Sequence, residues 1–334
     1  MSWDNTHVTD AQTTRLAAAL AASGVSQDRV AECRGLAGGT YNAVYLVCLD
    51  DGTRLVVKIA PDRGLPALSY EQGILATEAL YYRLAARCPG VTVPDVVAAD
   101  DAAGHLVMTE RPGSPWPALT PPPDGEERDE LRAELGRQVA GAHTITGTGF
   151  GYPSLAVGPM RDSWREAFGD MVDAVLTDSV RFGVTFPLPT AEVAGLFAEH
   201  STVLDAVTTP VLVHFDLWDG NVLVDSGPSG RRIGGMIDAE RAFWGDPLAE
   251  FVSLALFGDI ERDPAFLRGY RSAGGTVTFD AAARQRLALY RAYLYLIMWV
   301  EAVPRGYGPE RQQWLREKVL RPLTATLTDW SASS

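Results

Sequence analysis

The stretch His214-Phe215-Asp216-Leu217-Trp218-Asp219-Gly220-Asn221 lies between two short apolar runs, Val211 to Val213 and Val222 to Val224, that read as strands. A third run, Ile233 to Ile237, ends at another carboxylate in Gly235-Met236-Ile237-Asp238-Ala239-Glu240, and Gly245-Asp246-Pro247-Leu248 then opens a helix. The surrounding sequence patterns as helix over 126–145, 161–182, 190–206, 245–257, 263–272, 280–303 and 309–328. A small β patch inside a helical region is unusual, and the side chains able to do chemistry gather on it.

Toward the N-terminus the character changes. Residues 8–23 pattern as an amphipathic helix, and Leu36-Ala37-Gly38-Gly39-Thr40-Tyr41 is a small-residue loop. Two apolar runs, Ala43 to Leu49 and Leu55 to Ala60, are separated by Asp50-Asp51-Gly52-Thr53, a strong hairpin signal. A helix over 68–86 and strands over 93–99 and 105–109 follow. The first 110 residues are therefore expected to be mostly antiparallel sheet with one inserted helix. Beyond Glu110, Arg111-Pro112-Gly113-Ser114-Pro115-Trp116 and the proline run from Pro121 read as a linker or exposed loop. The expected division is an N-terminal unit, 1–110, and a larger helical unit, 111–334.

Bulk properties narrow the class. The 334 residues are 46% apolar and 21% charged, as in an ordinary globular protein. The net charge of -13 disfavours nucleic acid and anionic membranes as partners and favours cations. The three cysteines, Cys33, Cys48 and Cys88, show no paired or metal-ligand spacing, which points to a reducing compartment. The first ten residues lack the apolar core of a signal peptide, and the longest apolar stretch, Leu287 to Val300, is too short for a membrane span and is broken by Arg291. A cytoplasmic monomer or dimer is the expectation.

The pattern His-x-Asp-Leu-x-x-x-Asn, followed by a strand-end Asp, resembles the catalytic loop and metal-binding Asp of kinases. With Ile237-Asp238-Ala239-Glu240 and Gly245-Asp246-Pro247-Leu248 it is similar to the aminoglycoside phosphotransferase family, which also takes in choline, fructosamine and related small-molecule kinases. The resemblance spans nearly the whole chain. It implies an α+β, protein-kinase-like fold of two lobes, a small antiparallel sheet lobe and a larger helical lobe, with ATP and Mg²⁺ as cofactors. Phosphoryl transfer asks a protein mainly for positioning and charge neutralisation. Asp216 is then the catalytic base, with His214 bracing its loop. Asn221 and Asp238 are the magnesium ligands, hard oxygens as that ion prefers.

The same resemblance gives Lys58, on the alternating side of a strand, to the α- and β-phosphates. Its expected partner is Glu78, beside the apolar stretch Leu80 to Leu84; Glu71, seven residues earlier, shares that helix face and is the alternative. Gly38, Gly39 and Thr40 occupy the place of the phosphate-covering loop, with Asn42 as a further donor. Val107 to Gly113 resembles the hinge, where the Thr109 carbonyl and Arg111 amide would pair with adenine. His143 reads as structural. Asp219, Glu240, Asp246 and Glu250 are expected to line the acceptor side and draw in a cationic or amine-bearing molecule, although Asp246 is also placed to cap a helix. Trp218 and the aromatics of 290–299 could pack against a sugar or an amine. The leading expectation is phosphorylation of an aminoglycoside-like or amino-sugar hydroxyl. The alternatives are a fructosamine- or choline-type metabolite kinase, to which Trp218 points, and an inactive pseudokinase. Protein kinase activity is disfavoured because no Ala-Pro-Glu segment follows Asp238.

Overall fold

The computed structural model describes residues 10–36, 41–62, 64–228 and 230–333. Helix α1 (Asp10–Ala22) leads into strands β1 (Val30–Gly35), β2 (Ala43–Leu49) and β3 (Arg54–Ile59), then α2 (Ile74–Ala85), β4 (Val96–Asp100) and β5 (His105–Thr109). These form one antiparallel sheet in the order β1-β2-β3-β5-β4. The β2–β3 hairpin closes at Gly52, whose φ of +84° suits glycine, with the Asp51 side chain accepting from the Thr53 amide.

Side chains alternate across the sheet, so each strand serves two layers. Val47, Val57 and Val107 face Leu16, Ala19 and Leu20 of α1 in one small core. Leu106 and Met108 face the other way, into the main core with Ile74, Ala79 and Tyr82 of α2. Lys58 is paired with Leu106 across β3 and β5, so it shares the α2-facing side. Strand parity thus carries a lysine inward toward a helix.

Past Thr109 the chain runs through β6 (Ser114–Pro115), α3 (Gly125–Ala142), α4 (Trp164–Arg181), α5 (Thr190–His200), β7 (Val211–Val213), β8 (Val222–Gly227), β9 (Gly230–Met236) and β10 (Phe243–Gly245). Five helices follow: α6 (Glu250–Leu254), α7 (Pro264–Ser272), α8 (Ala281–Val300), α9 (Pro309–Leu315) and α10 (Arg321–Ser333), the last two joined by a π-helical turn over Arg316–Leu320. The β patch read from the sequence is two small sheets, β10-β7 and β6-β8-β9. The expected linker after Glu110 is more ordered than its prolines suggested. Ser114 pairs with Val224, and a Cβ on Gly113 or Gly234 would collide with the opposing backbone at 2.5 Å or 2.1 Å. Prolines end regular pairing, but the glycines let this segment lie flat on β8 and β9. Among the described residues no helix is long and apolar enough to cross a membrane.

Helices α3 and α7 meet backbone to backbone. A Cβ on Gly269 would sit 1.9 Å from the Ala133 carbonyl oxygen, and one on Gly136 would sit 2.2 Å from that of Phe266. This crossing sets one wall of the main cavity, because α3 carries Arg132 and Asp263 caps the start of α7. Gly269→Ala must push the helices apart. It is expected to lower stability by about 1–3 kcal/mol, the usual cost of overpacking. Urea denaturation should show this as a lower midpoint at an unchanged slope.

Candidate active site

The loop between β7 and β8 is held from beneath by one glutamate. Glu250 is buried, and its carboxylate accepts from the backbone amides of His214 at 2.7 Å and Phe215 at 3.0 Å. Ser253, one turn on, accepts from the Leu217 amide at 3.1 Å. Phe215 adopts a left-handed φ of +61°, costly for a bulky residue, while its ring is buried against Phe243 and Tyr293. The bend turns Asp216 outward and His214 inward. His214 Nδ1 accepts from the Asp216 amide at 3.3 Å, and Nε2 lies 3.0 Å from the Ile237 carbonyl, a pattern that fits a proton on Nε2. Burial lowers the pKa of this imidazole. His214 therefore joins the loop to the strand bearing Asp238 and has no free nitrogen to offer a substrate.

Asp216 opens onto a cavity of about 690 Å³ lined from both the sheet side and the helical side. Burial pushes its carboxyl up to about 7, against the pull of the Arg241 guanidinium 3.7 Å away. A carboxylate poised near neutrality suits a general base. Arg241 is held in turn by Glu301 at 3.0 Å. Arg241 was assigned no role from the sequence, and Glu301 only a place among the acids beyond the catalytic loop. Arg241 stands one 3₁₀ turn past Asp238, which is a local signal, but its pairing with Glu301 is visible only once α8 is in place.

On the sheet side, Lys58 Nζ donates to both oxygens of Glu78, at 2.7 and 2.8 Å, and to Asp238 at 2.5 Å. Glu78 rather than Glu71 is thus the lysine's partner. Glu71 is buried elsewhere, pairing with Arg305 and accepting from the Leu68 amide. Burial opposes the charge on Lys58, yet Asp238 and Glu78 outweigh it and hold the pKa above normal. Tyr82, one turn beyond Glu78, donates to it at 2.6 Å and accepts from the Asp238 amide at 2.8 Å. The i, i+4 spacing of Glu78 and Tyr82 is the sequence signal for this missed link.

Asp238, with a left-handed φ of +66°, faces Glu240 and Glu78, and oxygens of the three lie within 4.8 Å of one another. Burial and the neighbouring Asp238 push the Glu240 carboxyl well above its usual range. Asn42 donates to Glu240 at 2.8 Å, and its buried Oδ1 has no partner among the described residues. Asn221 donates to the Asp216 carbonyl at 2.7 Å and lines the same cavity, which leaves its amide oxygen available. Crowded hard oxygens with Lys58 among them, beside an amide oxygen that has no partner among the described residues, fit a hydrated divalent cation such as Mg²⁺.

Several expected acceptor contacts are corrected. Glu250 is the loop brace just described. Asp246 is also buried: it caps the turn at Leu248 and binds Arg286 and Tyr290, each at 2.7 Å, so it does not reach the cavity. Glu240 lines the cavity on the Lys58 side. Asp219 lines it too, but Arg132 takes one of its oxygens at 3.2 Å. Thr109 and Arg111 lie outside the cavity wall; the Thr109 hydroxyl accepts from the Asp95 amide and Arg111 Nε donates to the Gly234 carbonyl. Gly38, Gly39 and Thr40 fall outside the described residues. His143 is structural: it caps α3, bonds Tyr270 at 2.9 Å and lies 3.7 Å from Glu250. Most aromatics of the 290–299 stretch are core, whereas Trp218 is 41% exposed in the cavity, its ring folded over Gly220 where a Cβ would meet it at 2.2 Å.

A sheet lobe over a helical lobe, with a strand lysine clamped by a helix glutamate and a second strand-end aspartate, defines a kinase-type phosphotransferase. The chain belongs to the phosphotransferase enzyme family, whose model matches residues 32–290, and it is a small-molecule kinase. It is 25% identical over 301 residues to a probable ketoamine kinase from Synechocystis, covering 86% of this chain and 90% of that one. Solved structures of the same protein-kinase-like fold include a fructosamine-3-kinase candidate from Thermobifida fusca (TM-score 0.67, 24% identity, 93% and 98% of the two chains). Another is a type I macrolide 2'-phosphotransferase (TM-score 0.60, 21% identity, 94% and 98%). A third is the streptomycin-ATP complex of the aminoglycoside phosphotransferase APH(2'')-IIa (TM-score 0.60, 17% identity, 96% and 99%).

Glu250 can be separated from the acceptor by mutation. Glu250→Ala strands two buried amides and should destabilise the protein by about 1–3 kcal/mol. It should also cut kcat while leaving the acceptor KM within about twofold, since uniform binding is untouched. Denaturation and steady-state kinetics on the variant check both.

Proposed function

We propose that the protein transfers the γ-phosphate of ATP to a sugar hydroxyl of a ketoamine, a small glycated amine. The observation that carries the kinase part is the convergence of Lys58, Asp216, Asn221 and Asp238 on one cavity. Lys58, fixed by Glu78, meets the α- and β-phosphates. Asn221, Asp238 and Glu240 would hold magnesium, which neutralises phosphate charge when bound. Asp216 accepts the proton of the attacking hydroxyl as its oxygen bonds to the γ-phosphorus. The bond to the β–γ bridging oxygen breaks, and ADP leaves.

Two features support a ketoamine over a polycationic aminoglycoside. The acceptor side presents aromatic faces, Trp218 and the 39% exposed Phe257, on which a sugar's C–H face can pack. Its carboxylates are engaged: Asp219 and Asp263 share Arg132, and Glu301 holds Arg241. The likeness to a probable ketoamine kinase agrees with this choice.

A coupled ADP-release screen over ketoamines, aminoglycosides, macrolides and choline decides the acceptor. Turnover confined to ketoamines is expected; turnover of an aminoglycoside alone would displace the acceptor and keep the kinase. Asp216→Asn should bind nucleotide normally but turn over at least about a hundredfold more slowly, the lower end for losing a general base. The ionised carboxylate is the active form and burial raises its pKa to about 7. Hence kcat/KM should climb as pH rises through about 7 and level off above it. A flat profile across that range would remove Asp216 from the base role.

A further inference from the structure

On the acceptor side of the cavity the acids are engaged by arginines, although the whole chain is strongly acidic. Each of these acids has an arginine beside it: Arg132 sits 2.6 Å from Asp263 and 3.2 Å from Asp219, Glu301 binds Arg241, and Asp259 caps its own turn at Glu261 with Arg262 3.8 Å away. Of the arginines lining the cavity, Arg311 alone has no carboxylate within 4.0 Å among the described residues. It is held another way. Its guanidinium lies over the Trp314 ring at 4.2 Å and near Tyr307 at 5.7 Å. Stacking fixes the plane of a guanidinium and leaves its N–H edge for a ligand.

The neighbouring wall points the same way. Phe257 takes a left-handed φ of +62°, an uncommon and strained state for an aromatic residue, and still leaves its ring 39% exposed in the cavity. That ring stacks on Tyr295 at 6.1 Å and meets the edge of Trp314 at 5.3 Å. Tyr295, Phe257, Trp314 and Arg311 therefore form one run of stacked groups that ends in a cation. The fixed run offers an apolar face for an alkyl or sugar segment and a planar donor at its end.

We propose that this run is a specificity site for an anionic group on the acceptor, and that the preferred ketoamine carries a free carboxylate, as a glycated amino acid does. This deepens the ketoamine reading and rests on it. The sugar hydroxyl lies at Asp216, the linking chain along Phe257 and Trp314, and the carboxylate on Arg311. A polycation meets, among the described residues, acids already beside arginines and a stacked guanidinium.

The test uses two ketoamines that differ only in charge, made from Nα-acetyl-lysine and from its carboxamide, each glycated on the side-chain amine. The intact enzyme is expected to favour the free acid in kcat/KM by about ten- to a hundredfold, the worth of one charge-assisted hydrogen bond. Arg311→Gln should collapse that preference to near unity, and Arg311→Lys, which keeps charge but loses the planar fork, should keep part of it. Arg311 is exposed, so both variants are expected to fold. Equal use of acid and amide by the intact enzyme, or an undiminished preference in Arg311→Gln, overturns the site while ketoamine kinase activity stands. Turnover of neither compound overturns the ketoamine reading and this inference with it.

Discussion

A lysine ammonium buried between two carboxylates depends on its partners for everything water would supply. Lys58 is in that position, with Glu78 fully buried on one side and Asp238 on the other. Breaking such a group of charges is far costlier than never having built it, because the survivor is left unpaired in a poor solvent. The arrangement therefore dictates geometry on both sides. Strand β3 must present Lys58 to α2, and the β9 end must bring Asp238 up to the sheet. Tyr82 locks the second requirement by accepting from the Asp238 amide while donating to Glu78. One buried cation thus sets the distance between the nucleotide side and the catalytic side.

The same cluster explains why the site calls for further positive charge. Lys58 sits among Glu78, Asp238 and Glu240, and the Glu240 carboxyl is driven well above its ordinary range. Like charges this close cannot all ionise without a counter-ion. A divalent cation with its phosphates would offset the crowded charge of Asp238 and Glu240. The catalytic loop is strained for a related reason. The left-handed backbone of Phe215 is offset by charge-assisted bonds to Glu250 from its own amide and that of His214 and by a fully buried ring, and the outcome is an Asp216 that faces the cavity.

Much of this was legible in the sequence because it is local. The Asp51-Gly52 hairpin, the alternation that turns Lys58 inward, and the spacing from His214 through Asn221 to Asp238 all depend on neighbours along the chain. The choice of Glu78 over Glu71 also followed from its apolar surroundings. What failed was the use of sequence proximity to place acids. Asp246 and Glu250 lie close to the catalytic segment in sequence, yet both turn inward, one to Arg286 and Tyr290, the other to two loop amides. Whether a carboxylate near a motif faces substrate or braces backbone depends on the helices packed beneath it, and those contacts are long-range. Arg241 with Glu301, and Arg305 with Glu71, were hidden for the same reason.

Net charge misleads in a similar way. A formal charge of -13 suggests a protein that gathers cations, and over long range it does set the mean field. Within a Debye length of about 10 Å at 0.1 M salt, however, the local pairing decides what a ligand meets. On the acceptor side that pairing is close to complete, with Arg132 serving two aspartates. The lining arginine without a carboxylate beside it, among the described residues, is the guanidinium stacked on Trp314. Under the proposed reading, flat apolar faces and one oriented cation would supply affinity there, which suits an acceptor that is part sugar and part acid better than one that is all amine.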